Sequence, residues 1–455
     1  MRHDFSHMPL DALLRPDGFD CECGRRHGTG LRDLRIGRGA VEALPEAVRS
    51  LDAHRPMLVC DENTWDAAGG RAAALLDAAG ISYGLLRFPT REQLMPDERE
   101  LGWIAMNFDP DCDLILGVGG GVINDLCKMA GRMSGRPCAL VATAPSMDGL
   151  ASNSGAMEVH GVKTTIYAPC PAAVICDTEI MAQAPERMLR AGIGDMIAKY
   201  ISVCEWRMSH IINGEYYCES VADMMREAVR KVVASAERVL ARDPDAVGAV
   251  AEGLVLSGIA MSFAGVSRPA SGLEHCFSHI WEMMALERGR SYDFHGIQVG
   301  VGTMLTLNVY DFIRGVRPTM EAAERAIQSF DRTAWEVELR RVFGGEADAL
   351  IDGEQRYQSY EPAKRRARAR RIVENWDAIQ QVIREELPDA GALRKLAQRV
   401  GLPMTPAEIG FSNRDAVDAF AHSCDLRDRY LSSSMLRDIG ALDDCAAALA
   451  RELKD

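Results

Sequence analysis

The sequence predicts an α/β domain with a mostly parallel sheet, followed by an all-helical domain. Three observations carry this expectation. From about residue 30 to residue 180, short apolar runs alternate with helical patterns, and a strand, helix, strand rhythm implies right-handed crossovers between parallel strands. Glycine, proline and asparagine turns separate those runs. After Ala184-Pro185 the strand signals stop and helical periodicity takes over.

In chain order, Met57 to Cys60, Tyr83 to Phe88, Leu114 to Val118, Ala139 to Ala142 and Ala173 to Cys176 read as strands. Ala67 to Ala79 and Asn124 to Ser134 read as helices between them, and Lys163 to Tyr167 as an added strand or hairpin. Beyond Pro185, helical patterns cover Glu186 to His210, Ser220 to Ala241, Ala246 to Ala264, Leu273 to Ala285 and most of the remainder. The expected domains are residues 1–184, α/β, and residues 185–455, all-helical, with 344–455 as a helical extension.

Composition narrows the function. The chain has 455 residues, 52 Lys+Arg against 66 Asp+Glu, and a net charge of −14. That balance argues against a nucleic-acid partner, because phosphate backbones need a cationic face. The densest basic run, Lys364 to Arg371 (KRRARARR), reads as a solvated helix face neutralised by Glu354, Glu361, Glu374, Glu385 and Glu386. No uninterrupted apolar stretch approaches the roughly 18 residues of a spanning helix. Thirteen cysteines, an odd number often set in apolar runs, suit reduced buried thiols and a cytoplasmic location better than a disulfide framework. The Cys21-Glu-Cys23 pair supplies two metal ligands at most, too few for a complete site, and reads as structural.

Two loops carry binding chemistry. Leu114-Ile-Leu-Gly-Val-Gly-Gly-Gly-Val-Ile-Asn-Asp-Leu-Cys-Lys128 is a strand, a glycine turn and a helix start. Gly119, Gly120 and Gly121 admit a ligand close to the backbone, and the following helix N-terminus suits a pyrophosphate. Asn124 or Asp125 is placed to cap that helix. The spacing departs from GxGxxG because Val122 stands where the third glycine belongs. The next strand is followed by a polar loop through Gly155 bearing Thr143, Ser146, Asp148 and Ser152, at the sheet edge where open α/β folds bind ligands.

The histidines form the third constellation. His275 and His279 lie four apart on a helical pattern and so share a face, and His295 opens a further helix. Asp195 is a carboxylate in the apolar segment Ala191-Gly-Ile-Gly-Asp-Met-Ile-Ala-Lys199, where a buried charge needs a partner. One Asp and two His with an open position form a plausible set for a catalytic divalent ion, while a His pair on a helix is also a common structural feature.

GVGGGVIND, TAPSMDG, GDMIAK, SRPASGLEHCFSH and FHGIQVG, in that order and preceded by Asp61-Glu-Asn-Thr-Trp65, resemble the sn-glycerol-1-phosphate dehydrogenase family. That family is a branch of the iron-containing alcohol dehydrogenase and dehydroquinate synthase-like superfamily. The resemblance runs from about Cys23 to Asn308, and Cys21-Glu-Cys-Gly-Arg-Arg-His27 is similar to the start of the bacterial members. It implies the dehydroquinate synthase-like fold. It also implies a metal held by Asp195, His275 and His295 (Zn²⁺ first, with Ni²⁺ and Fe²⁺ as alternatives), His279 against substrate, and Asp148 on the substrate hydroxyls. Gly119 to Gly121 would take the pyrophosphate of NAD or NADP, with Asn124 and Asp125 nearby, Asp61 the adenosine ribose, and Thr143, Ser146 and Ser152 the nicotinamide end. The implied reaction interconverts dihydroxyacetone phosphate and sn-glycerol 1-phosphate in phospholipid metabolism, in a homo-oligomer such as a homodimer.

Charge then assigns further roles. The resemblance also makes Asp148, Asp195 and His279 the expected catalytic residues, where a bound dication would polarise a carbonyl and stabilise the developing alkoxide. A phosphorylated substrate needs buried cations. Lys199, four residues after Asp195, and Arg268, seven before His275, are the candidates. The rival readings are a glycerol or polyol dehydrogenase, a dehydroquinate synthase-like cyclase, and a non-catalytic binding module.

Overall fold

The computed structural model describes residues 2–159 and 162–454. Its contacts divide the chain into two compact units, Met1–Met196 with Cys218–Ala270, and Ile197–Tyr217 with Ser271–Asp455. This division does not follow the change of texture at Ala184-Pro185. The helices Glu186–Ile197, Glu219–Leu240 and Pro244–Ala264 group with the sheet. The last is apolar enough to cross a membrane by length and composition, yet 78% of its apolar window is buried. It packs on Glu219–Leu240, Thr178–Met181 and the turn Asp148–Ala151. Texture along the chain changes where strands end, whereas packing follows the apolar surface a helix must cover.

The strands of the first unit are β1 (Phe19–Asp20), β2 (Arg26–His27), β3 (Asp33–Gly37), β4 (Pro56–Asp61), β5 (Gly84–Phe88), β6 (Leu114–Gly119), β7 (Cys138–Ala142), β8 (Ser154–Val159), β9 (Val162–Tyr167) and β10 (Ala173–Asp177). Six form one parallel sheet in the order β3-β10-β7-β6-β4-β5. Both faces are covered, so the strands are apolar throughout. Leu58, Cys60, Leu116 and Val141 enter one core cluster, and Met57, Val59, Ile115 and Cys138 the other.

The chain moves outward from β4 to β5 and in the opposite direction from β6 to β7. The β4/β6 boundary is therefore a topological switch point, where open α/β sheets bind ligands at the strands' carboxyl ends. Asp61 ends β4, Gly119 ends β6, and the register Val59↔Gly117 sets them level.

Local differences from the sequence reading have local causes. Lys163–Tyr167 is the second arm of the β8–β9 hairpin, so the polar loop ends at Asn153. The short edge strand β3, DLRIG, has only half-buried positions and carries no apolar signature. Helicity over Glu186–His210 divides at Ala198 into Glu186–Ile197 and Lys199–Asn213, so Lys199 opens a helix rather than continuing that of Asp195.

The second unit is helical among the described residues. Leu273–Glu287 packs on His295–Gly315, on Lys199–Asn213 and on Asn413–His422, and Leu442–Glu452 packs on His295–Gly315. The C-terminal extension thus shares the core of the histidine-bearing helices. Its basic run forms the helix Pro362–Glu374, but the partners differ from those expected. Arg366 Nε donates to Glu324 at 2.9 Å, and Arg368 Nε to Asp438 at 2.5 Å. Arg365 is buried with its Nη2 on the Arg437 carbonyl at 3.0 Å. Of the expected glutamates, Glu361 caps this helix, Glu354 pairs with Arg332, and Glu385 and Glu386 pair with Arg207.

Candidate active site

The first unit contains a glycine turn and a buried acidic pair. The helix after β6 starts at Gly121 with Gly120 as its N-cap and no capping side chain. Neither Asn124 nor Asp125 caps it, contrary to expectation, because both lie inside the helix and are buried. Asn124 Nδ2 donates to the Gly149 carbonyl at 2.8 Å, and Asp125 Oδ1 pairs with Lys128 Nζ at 2.9 Å. An uncapped helix N-terminus at a switch point suits a pyrophosphate. A Cβ at Gly120 would enter open space, whereas Cβ atoms at Gly119 and Gly121 would strike Ile123 at 2.6 Å and Met147 at 2.9 Å. Gly119 is thus set by packing against Ile123 and Gly121 by contact with the Met147 side chain, and Gly120 is the one with open space beside it for a ligand. Asp61 forms a capping box with Thr64, its Oδ1 accepting the Thr64 N–H at 2.7 Å.

The loop after β7 is held from below by Lys128, which the sequence reading did not single out. Its buried ammonium donates to the Gly149 carbonyl at 3.1 Å, to Ser152 Oγ at 3.2 Å and to the Ser154 carbonyl. Ser152 is thereby tied into the loop, and Thr143 and Ser146 are buried in it. The Asp148 N–H donates to Asp195 Oδ2 at 2.9 Å, and Ser257 Oγ donates to Asp148 Oδ2 at 2.8 Å. Gly192 makes this approach possible, since a Cβ there would sit 1.9 Å from the Pro145 carbonyl oxygen. Arg268 is buried at the end of this unit.

The second unit contains the three imidazoles. The rings of His275 and His295 lie 5.3 Å apart by centroid, those of His279 and His295 5.6 Å, and those of His275 and His279 6.5 Å. Gly302 lets the two helices meet, because its Cβ would fall 2.4 Å from the Glu274 carbonyl oxygen.

The rings of His275 and His295 are each held through Nδ1. That of His275 faces Glu274 Oε1 at 2.8 Å; that of His295 faces Ser278 Oγ at 3.1 Å and Glu282 Oε1 at 3.4 Å. A carboxylate only accepts, so it favours the proton on Nδ1 and leaves the Nε2 lone pair for a metal. This donor chemistry fits a divalent ion.

His279 lies 3.8 Å from Glu282 Oε2 through its Nδ1. Burial pushes its pKa down to about 3 against the opposing pull of Glu282, so the ring is neutral at neutral pH.

Behind His275 stands a brace that the sequence reading missed. Glu205, buried in Lys199–Asn213, accepts the Leu273 N–H at 3.0 Å through Oε2. Its Oε1 accepts the Ser432 N–H at 2.9 Å and the Ser432 hydroxyl at 2.5 Å. Arg429 Nη1 donates to Ser271 Oγ at 2.6 Å and to its carbonyl at 3.0 Å. Two residues of the C-terminal extension therefore hold the turn that starts the His275 helix. Glu274 and Glu282 were legible by spacing, next to His275 and three after His279, whereas Glu205 and Ser432 have no local signal. Lys199 is fully buried in the same unit.

Known proteins are similar to this chain. The iron-containing alcohol dehydrogenase family matches residues 35–185. A Halalkalibacterium halodurans protein named glycerol-1-phosphate dehydrogenase (NAD(P)+) is 36% identical over 294 residues, 64% of this chain and 74% of its own length. The Bacillus licheniformis protein of that name is 29% identical over 425 residues, 93% of each chain, an alignment that reaches into the C-terminal extension. The Methanosarcina mazei protein of that name is 36% identical over 61% of this chain and 76% of its own. Among solved structures, a probable glycerol dehydrogenase from Sinorhizobium meliloti aligns over 93% of this chain and 98% of its own. Its TM-score is 0.57 at 16% identity, a likeness of fold. With these motifs and this extent of identity, the chain belongs to the glycerol-1-phosphate dehydrogenase (NAD(P)+) family of the iron-containing alcohol dehydrogenase fold.

Proposed function

We propose that the chain interconverts dihydroxyacetone phosphate and sn-glycerol 1-phosphate with NAD(P)(H), with Asp195, His275 and His295 holding one divalent ion. The observation that carries the reading is the pair of imidazoles anchored through Nδ1 in a family whose members bear that enzyme name. When bound, the ion would supply Lewis-acid polarisation of the substrate carbonyl, and the nicotinamide the hydride. The chain's own residues do the positioning. Glu274 and Glu282 orient the imidazoles, the Asp148 N–H fixes the Asp195 carboxylate, and Gly120 with the following helix N-terminus offers a seat for the pyrophosphate. Neutral His279 is suited to exchange a hydrogen bond with the substrate rather than to deliver a standing positive charge. Zn²⁺, Ni²⁺ and Fe²⁺ all accept imidazole and carboxylate, with Zn²⁺ as the first choice for a set of three protein ligands.

The test is NADH and NADPH oxidation with dihydroxyacetone phosphate, with dihydroxyacetone, and with neither, before and after chelation. The proposal expects turnover of the phosphorylated substrate alone to dominate and to vanish on chelation. Faster turnover of dihydroxyacetone would select the polyol dehydrogenase reading, and activity unaffected by chelation would remove the metal.

A further inference from the structure

We propose that Cys21, Cys23, His27 and Cys218 form a second metal site, a closed tetrahedral Zn²⁺ site that staples the N-terminal hairpin to the helix Glu219–Leu240. All four residues belong to the first unit, and one ligand atom from each lies within 4.8 Å of every other.

The spacings match a tetrahedral ion. Zn–S bonds of about 2.3 Å and a Zn–N bond of about 2.0 Å place sulfurs about 3.8 Å apart, and sulfur and nitrogen about 3.5 Å apart. The Sγ atoms of Cys21 and Cys218 are 3.9 Å apart. His27 Nε2 lies 3.3 Å from Cys23 Sγ and 3.4 Å from Cys218 Sγ. A disulfide needs about 2.05 Å, so the sulfurs are not bonded to one another.

The surroundings point the same way. His27 Nδ1 lies 2.8 Å from the Phe263 carbonyl oxygen. A carbonyl only accepts, so Nδ1 carries the proton and the Nε2 lone pair faces the sulfurs, as in a metal-bound histidine with its outer partner. The rings of Phe5 and Phe263 pack on His27 at 5.7 and 5.6 Å, and His27 and Cys218 are buried.

The hairpin's own ladder is short. β1 and β2 have two residues each, and an isolated hairpin of that length is marginal. Between them Cys21–Gly24 forms a tight knuckle, with the Gly24 N–H on the Cys21 carbonyl at 3.1 Å and Gly24 at φ +84°. The two cysteines of the sequence pattern are half of the set. His27 completes the hairpin's share, and Cys218, far along the chain, supplies the fourth ligand.

The experiment measures metal in full-length protein purified without chelators, then in protein reconstituted with Co²⁺. Cys218→Ser and Cys23→Ser should each lose about one Zn²⁺ equivalent per chain relative to wild type. The ligand-preserving Cys23→His should keep it. Thiolate-to-cobalt charge-transfer absorption is expected in wild type and in His275→Ala, whose own site contains no sulfur, and is expected to disappear in Cys218→Ser. This separates the staple from the catalytic ion. Mercurial titration of wild-type thiols should release zinc to a chromogenic chelator, a readout independent of any variant's folding. A Co²⁺ protein without the thiolate band, zinc content unchanged in both serine variants, or a Cys21–Cys218 disulfide in the non-reduced protein would overturn the site.

Discussion

The metal ligands proposed on the histidine-bearing helices and on the cysteine knuckle are held by different means. His275 and His295 sit on Leu273–Glu287 and His295–Gly315, two long buried helices fixed by Gly302, by the carboxylates of Glu274 and Glu282, and by the brace from Glu205 to Ser432. Cys21, Cys23 and His27 sit on a hairpin with a two-residue ladder. The first arrangement is held by long helices and their hydrogen bonds. The second rests on a short ladder, the aromatic cluster of Phe5, Phe19 and Phe263 around His27, and the Arg25 bond to the Ala264 carbonyl. A rigidly held site leaves metal affinity for chemistry, whereas in a more lightly held one part of that affinity goes into folding.

The largest effect that tests this contrast is His275→Ala. It should reduce kcat/KM by roughly a thousandfold or more, while circular dichroism and the melting temperature barely move. A cooperative loss of helix in that variant would show that the metal builds this unit too. Next comes Glu274→Gln, which removes the charged partner of His275 Nδ1. Metal affinity should fall by roughly 10–100-fold, measured by competition with a chelator. Unchanged affinity would mean that helix packing alone fixes the ring.

Arg268→Ala and Lys199→Ala separate substrate binding from metal support. If either side chain holds the phosphate, its loss should weaken dihydroxyacetone phosphate selectively by about 1.5–3 kcal/mol, with dihydroxyacetone barely affected. Equal losses on both substrates, seen in parallel KM determinations, would assign the residue to the fold or the metal.

Gly302→Ala forces a Cβ against the Glu274 carbonyl oxygen. It should cost about 1–3 kcal/mol of stability in denaturant unfolding and lower metal affinity in the same variant. A neutral outcome on both counts would show that the helices can slide apart without disturbing the rings.

The smallest effect is acid sensitivity at the far end of the His275 helix, where Arg288 pairs with Asp415 at 2.6 Å. Burial would raise the Asp415 pKa, but Arg288 and the Ser412 N–H and hydroxyl outweigh it and hold it at about 2, against an ordinary value of 3.8. A carboxylate whose folded pKa is depressed contributes stability above its unfolded pKa and loses it as pH falls through the folded one. Unfolding measured between pH 5 and 2 should therefore flatten below about 4 in Asp415→Asn relative to wild type. Identical pH slopes would remove this pair as an acid-labile clamp.

The sequence by itself determined the parallel sheet, the glycine turn at the end of β6 and the three histidines, because each is written in local periodicity or in spacing along one element. Chemical identity also singled out Asp195 as a buried carboxylate in an apolar helix. Only the tertiary structure decided that Glu219–Leu240 and Pro244–Ala264 group with the sheet, that Glu205 and Ser432 brace the His275 turn, and that Lys128 holds the loop of Asp148. It alone brought Cys218 to Cys21, Cys23 and His27. Those contacts join residues tens to hundreds of positions apart, and a lone buried Glu, Ser or Cys carries no mark of its partner. Local pattern specifies an element's face; which surface covers that face is set by how the whole chain buries its apolar area at once.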